Sequence, residues 1–209
     1  MGEQQRRPRL ILASASPRRQ ALLTEAGYEF VVEPAHIDEA KYPEGALPSD
    51  VARYLAGEKA RVVAERFPED VVLAADTVVA FGDQMLGKAK DVEDARRILS
   101  VLMGTTHIVI TGVAVIHRSA NFSRTAKVMS AVRMKWITAQ QLEAYLASGE
   151  WQGKAGAYGI QDADPFVTRV TGSQSNIVGL PMRAARVMLA EAGIEARKRE
   201  GGGAGEVKS

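Results

Sequence analysis

Ser14-Ala15-Ser16-Pro17-Arg18-Arg19 packs two hydroxyls and two guanidinium groups into six residues. The segment joins an apolar run, Arg9 to Ala13, to a helical pattern that starts at Pro17. Ser16 suits an N-cap, and Pro17 suits the first helical position. A helix start presents free N–H groups and the positive end of the dipole, which favours an anion. Arg18 and Arg19 add planar forks matched to phosphate oxygens, and Ser14 and Ser16 add hydroxyl donors. This set suits triphosphate binding. An ordinary capped helix with two solvated arginines fits the same local pattern.

Asp76 follows five apolar residues, Val71 to Ala75, and so reads as the carboxyl end of a strand. Ligands of open α/β sheets bind outside those ends. A carboxylate there can hold Mg²⁺ or orient water for attack on phosphorus, with Thr77 beside it to bond a substrate. A strand end or turn cap accounts for Asp76 equally well. Glu39, Lys59 and Lys88 are the other candidates. A carboxylate near Asp76 would share a metal, and lysines would neutralise a transferring phosphoryl group. Taken singly, each reads as a solvated surface charge. No Walker motif occurs.

Gly153-Lys154-Ala155-Gly156-Ala157-Tyr158-Gly159-Ile160-Gln161 carries three glycines among small residues, which lets backbone approach a ligand. The amide of Gln161 can read a base edge. A flexible turn is the plainer alternative. Gly172-Ser173 and Gly179-Leu180-Pro181 read as turn and helix-start chemistry. His36, His107 and His117 have no ligand spacing and read as surface or strand packing. Trp136 and Trp151 read as core or interface aromatics.

The elements that must position these residues follow from period and punctuation. Strands are expected at Arg9–Ala13, Tyr28–Val32 and Val71–Ala75, the last continuing through Val78–Phe81. Further strands are expected at Thr106–His117, Arg124–Ile137, Phe166–Val170 and Asn176–Val178. Helices are expected from Pro17 to Ala26, from a cap at Ser49 or Asp50 to Arg66, and from Val92 to Met103. Tyr54 falls on the apolar side of the second of these. Thr138 to Gln141 is a capping box opening a helix to Ala147, and a last helix runs from Pro181 to Ala192. Strands and helices alternate, so the class is α/β, and the two long strands suggest antiparallel pairing in a mixed sheet.

Composition bounds the remaining choices. The 209 residues contain no Cys, so there is no disulfide framework, Cys-ligated zinc or thiol nucleophile. A net charge of +2 argues against a binder of the nucleic-acid backbone. No apolar run approaches the ~18 residues of a membrane span, so a cytoplasmic protein is expected. Residues 1–8 form a polar tail, 9–194 a single domain and 195–209 a flexible tail.

In their order along the chain these motifs resemble the Maf family of nucleotide pyrophosphatases. The matching pieces are Leu12 to Arg19, Glu39 after Ile37-Asp38, Glu58-Lys59-Ala60 and Ala75-Asp76-Thr77-Val78-Val79. Gly87-Lys88, Lys154 to Gln161 and Val178-Gly179-Leu180-Pro181 complete the set. The resemblance spans roughly Arg9 to Ile194. It implies a mixed, strongly curved sheet flanked by helices, with two lobes and a nucleotide cleft between them, as in inosine triphosphatase-like folds. It implies hydrolysis of a nucleoside triphosphate to monophosphate and pyrophosphate with Mg²⁺ or Mn²⁺. Asp76 matches the proton acceptor, and Arg18, Thr77 and Gln161 match positions tied to substrate choice. Ser14, Arg19, Glu39, Lys59 and Lys88 match the other cleft residues. Joined with the local chemistry, this makes Ser14, Ser16, Arg19, Lys59 and Lys88 the expected phosphate-binding set and Glu39 and Asp76 the expected metal ligands. The Ala-Gly-Ala-Tyr-Gly-Ile-Gln stretch resembles the branch acting on dTTP and UTP. The 7-methyl-GTP branch, an inosine-type purine triphosphatase and a nucleotide-binding division regulator are the alternatives. A homodimer is implied. The chain departs from the family at Lys88-Ala89, where Lys-Pro is usual, and at Trp151-Gln152-Gly153, where a Pro and an Asp are common.

Overall fold

The computed structural model describes residues 6–160 and 166–197. Apolar runs give strands β1 (Leu10–Leu12), β2 (Val31–Val32), β3 (Val71–Phe81), β4 (Gln84–Leu86), β5 (Thr106–His117), β6 (Phe122–Met134) and β7 (Val167–Thr171). Helices are α1 (Pro17–Glu25), α2 (Pro48–Arg66), α3 (Val92–Leu102), α4 (Ala139–Ser148), α5 (Gln174–Val178) and α6 (Met182–Glu191). The strands form one mixed sheet in the order β2-β1-β3-β5-β6-β7. β1 runs parallel to β2 and β3, and the other pairs are antiparallel. No described helix is long and apolar enough to cross a membrane.

The sheet has a gap that makes the site. One edge of β3 is occupied by β5 from Val72 to Ala80. The other edge pairs with β1 at Val71–Leu73 and with β4 at Val79–Phe81. Between those two partners β3 runs on with an open edge, and Asp76 and Thr77 lie there. Asp76 is therefore in the middle of an eleven-residue strand rather than at its carboxyl end. The strand that ends at the site is β1, whose chain turns away after Ala13 donates to the Leu73 carbonyl. The rule about carboxyl ends applies to β1.

Alternation along β3 sends neighbouring side chains to opposite faces. Val72 and Ala74 pack with α2, while Leu73 and Ala75 pack with α1 and α6. Asp76 continues the α2 face and Thr77 the α1 face. A third apolar cluster gathers α3, α4 and the far end of β3 around Val79, Leu99 and Phe166. Two of these clusters thus lie on the β1 side of the gap and the third on the β4 side.

Several elements differ from expectation for local reasons. Residues 176–178 are helical, because the Ser173 hydroxyl accepts from the Asn176 N–H and starts α5. At α2, Leu47 is the N-cap and Pro48 the first residue, with no side-chain cap. Asp50 instead pairs with Arg53 and Lys127. Tyr54 is exposed, as is Trp136, whose indole lies over Gly104. Trp151 is buried, and its indole N–H donates to the Leu146 carbonyl. The Thr138 capping box is present as read.

Candidate active site

The sheet gap opens into a cleft of about 490 Å³. Ser14, Ser16, Arg18, Arg19, Glu39, Lys59, Asp76, Thr77 and Lys88 all line it, although they come from five separate stretches of chain. Gln161 lies outside the described residues. Five cations face two carboxylates here, since Lys154 joins the four basic residues singled out from the sequence.

α2 brings Lys59 to Asp76. The helix crosses β5 at Gly112, where a Cβ would collide with the Ala52 carbonyl. Gly112 is the cross-strand neighbour of Asp76. Two helical turns after Ala52, Lys59 projects back over the same place. Its ammonium lies 2.6 Å from Asp76 Oδ1 and 2.6 Å from Glu39 Oε1. Both Lys59 and Asp76 are only 6% exposed. A buried charge of this kind persists when paired, and removing one partner strands the other. Glu39 reaches in from the loop before α2 and also accepts from Lys88 Nζ at 3.1 Å. Burial pushes the Glu39 carboxyl up, but hydrogen bonds and charge from Lys59 and Lys88 outweigh it and pull it down to about 2.

On the opposite face of β3 the pattern is a chain of hydrogen bonds. Arg19 donates from Nη2 to Thr77 Oγ1 at 3.2 Å, from Nη1 to Ser14 Oγ at 3.0 Å and from Nε to the Gly179 carbonyl at 2.8 Å. Thr77 meets Thr111 at 3.0 Å, and Thr111 donates to the Asn176 carbonyl at 2.9 Å. Burial lowers the Arg19 guanidinium from the ordinary arginine value, against the pull of Asp76. It remains a cation at neutral pH. Ser16 occupies the N-cap position of α1, but its hydroxyl makes no cap bond. Ser14 Oγ accepts from the Ser16 N–H and from Arg19, which leaves its O–H as a donor.

The other cleft wall is the segment 153–160. Arg18 Nη2 reaches across to the Gly153 carbonyl at 3.3 Å. The Gly156 N–H donates to the Gly87 carbonyl at 3.0 Å, and Ala155 forms a bridge with Lys88. Gly156 (φ +74) is a position where glycine is required, since a Cβ would meet Val79 at 2.9 Å. Residues 172 and 179, read as turn chemistry, have further roles. Gly179 supplies the carbonyl that holds Arg19, and Gly172 fits closely against Ser130. Thr111 and Asn176 escaped sequence reasoning because nothing in their local pattern separates them from core residues, and Tyr158 stood out only as part of the glycine-rich stretch 153–161.

The chain matches the model of the Maf-like protein family over residues 9–192. It belongs to that family. A dTTP/UTP pyrophosphatase of Cereibacter sphaeroides is 48% identical over 187 residues, covering 88% of this chain and 95% of the relative. One of Maricaulis maris is 45% identical over 203 residues, covering 95% and 96%. Among solved structures, the Ham1 protein of Staphylococcus aureus superposes with a TM-score of 0.43 at 13% identity, covering 60% of this chain and 71% of that one.

Proposed function

We propose that the protein hydrolyses dTTP and UTP to the monophosphate and pyrophosphate. The observation that carries this is the position of Asp76: a carboxylate at the open edge of β3, nearly buried, in a cleft lined by five cations. The names of the relatives support the same substrates. Water attacks one phosphorus of the α–β anhydride, and the bridging oxygen leaves with the other phosphoryl group. Asp76 accepts the proton of that water or orients it. Arg18, Arg19, Lys59 and Lys88 spread the charge that develops on the phosphate oxygens. The helix start at Ser16 and the Ser14 hydroxyl add donors. Gln161, whose amide both donates and accepts, pairs with the imide edge of thymine or uracil. Thr77 and Arg18 join it in substrate choice, as the family resemblance implies.

The donor set also fits a divalent cation. Glu39 and Asp76 each place an oxygen 2.6 Å from the same Lys59 nitrogen, so the two carboxylates converge on one point. Among the described residues no larger group of His, Cys, Asp and Glu gathers. Mg²⁺ is commonly held by one or two carboxylates plus substrate phosphates. When bound, such an ion withdraws charge from the phosphate oxygens. The Lys59 ammonium now holds that point, and a cation there would compete with it for the two carboxylates.

The test is pyrophosphate release from a panel of pyrimidine and purine triphosphates, with Asp76→Asn beside the wild type. The expected result is release from dTTP and UTP by the wild type and its abolition in a folded Asp76→Asn. Preference for a purine triphosphate, or full activity of the variant, would overturn the reading.

A further inference from the structure

His107 is an imidazole that the sheet buries to 1% exposure, near the start of β5. Its Nε2 lies 2.6 Å from the Tyr158 hydroxyl, and the two rings meet edge to face at 81° with centroids 5.3 Å apart. Its Nδ1 is buried with no hydrogen-bond partner. Whichever nitrogen carries the proton, Nδ1 goes unpaired, as a donor or as an acceptor. A leucine or phenylalanine among these core residues would carry no such penalty. A buried unpaired group calls for a reason. What the imidazole supplies in return is its bond to Tyr158. Burial holds the ring neutral, with its pKa down to about 4, so at neutral pH it anchors by hydrogen bonding rather than by charge.

Tyr158 lines the cleft, with Gly159 and Ile160 beside it. The preceding residue, Ala157, is fully buried and has φ +60, in the left-handed region that disfavours every residue with a Cβ. The Tyr145 hydroxyl, from α4, donates to the Ala157 carbonyl at 3.2 Å. Strained backbone beside a cleft persists when its surroundings over-determine it. Here two buried side chains, one on β5 and one on α4, hold successive residues of the same wall. Residues 157–160 carry no charge, which suits the uncharged part of a nucleotide, as the cations suit its phosphates.

We propose that His107 is a positioning residue for nucleotide selection: by holding the Tyr158 hydroxyl it fixes the wall segment 157–160 against which the nucleoside is placed. The idea rests on the cleft being a nucleotide site. It assigns a role to a side chain that touches neither phosphate nor the attacking water.

The experiment compares His107→Leu, Tyr158→Phe, their double variant and His107→Gln. Tyr158→Phe deletes one oxygen and keeps the ring. Each single loss is expected to raise KM for dTTP about tenfold, with kcat within about threefold and inhibition by pyrophosphate unchanged. The double variant should be no worse than either single, because both remove the same bond. His107→Gln, whose amide can reach the hydroxyl, should recover most of the loss. A purely structural histidine would lower the melting temperature and leave KM and the ranking of bases alone. Wild-type KM in both single variants, or losses that multiply in the double, would overturn the proposal. If His107→Leu does not fold, Tyr158→Phe decides alone. If the wild type hydrolyses no nucleotide, the substrate reading falls, and calorimetry with dTMP and with pyrophosphate decides this one. Selective weakening of dTMP sustains it, and equal weakening of both ends it.

Discussion

The two walls of the cleft are held in opposite ways. On the β3 and α2 side, charged side chains from distant stretches grip one another: Asp76 and Glu39 on Lys59, and Glu39 again on Lys88. On the 153–160 side the grip is backbone and buried hydrogen bonds: Gly156 to Gly87, Ala157 to Tyr145, Tyr158 to His107. The first wall can trade partners, because an incoming phosphate or cation competes for the same charges. The second, Lys154 apart, is gripped by backbone and neutral side chains and keeps its shape. Charge is suited to polyphosphates, which differ little among nucleotides. Fixed shape is suited to the part that differs. The walls meet at Lys88, whose ammonium belongs to the first and whose backbone bridge to Ala155 belongs to the second.

That junction gives the largest effect. Lys88→Ala removes the ammonium and keeps the backbone bridge. Loss of one positioned cation typically costs about 10²–10³ in rate. We expect kcat for dTTP to fall by that order while KM and the preference among bases hold. A changed base preference in Lys88→Ala would mean that the walls are not separable, and the comparison would break.

Gly156→Ala attacks the other wall. The new methyl would sit 2.9 Å from Val79 and 3.1 Å from the Tyr158 ring, at a backbone angle that costs alanine about 1–2 kcal/mol. Val79 is buried and cannot step aside cheaply. The strain should pass into the 153–160 segment, raising KM for dTTP about tenfold and leaving pyrophosphate inhibition nearly untouched. Equal loss of both would show that the segment also shapes the phosphate side.

The two walls were not equally legible in the sequence. Asp76, directly after five apolar residues, stood out locally, whereas Lys59 and Glu39, each beside another charge, read singly as solvated and gained weight only from the ordered resemblance to the family. Strand and helix periods placed α3, α4 and the long strands β5 and β6 to within a few residues. What stayed hidden depends on residues far apart in sequence. Asp76 was read as a strand end because five apolar residues precede it; the continuation through Val78–Phe81 was legible, but nothing local says that β1 stops beside it and leaves that edge open. His107 resembles any inward strand residue until Tyr158, fifty-one positions later, is found against it. Thr111 gains its meaning from Thr77 across the ladder. The short α5 read as a strand because Asn176-Ile177-Val178 carries β-branched residues, and the Ser173 cap outweighed them.

Asp70 shows that paired charge alone does not make a site. It is 1% exposed and stands just before β3, six residues ahead of Asp76. It accepts from Arg6 at 2.8 Å, from the Arg9 N–H at 2.9 Å and from Arg9 Nη2 at 2.6 Å. Every bond ties the start of β1 to the start of β3, and the residue lines no part of the cleft. Asp70→Asn should therefore spare kcat and KM at neutral pH. It should cost about 1–2 kcal/mol of stability, limited because both guanidiniums are half-exposed and can return to water. The cost should also depend on pH. Burial pushes the Asp70 carboxyl up, but hydrogen bonds from Arg9 outweigh it and hold it below the ordinary aspartate value. Below about pH 4, the ordinary value, the unfolded chain binds this proton before the folded one does. The carboxylate's contribution is thus whole above that pH and fades as pH falls through the lower folded value. Melting temperatures of wild type and Asp70→Asn should differ at pH 7 and converge in acid. A difference that persisted undiminished at pH 2 would mean that shape, not charge, is what Asp70 provides.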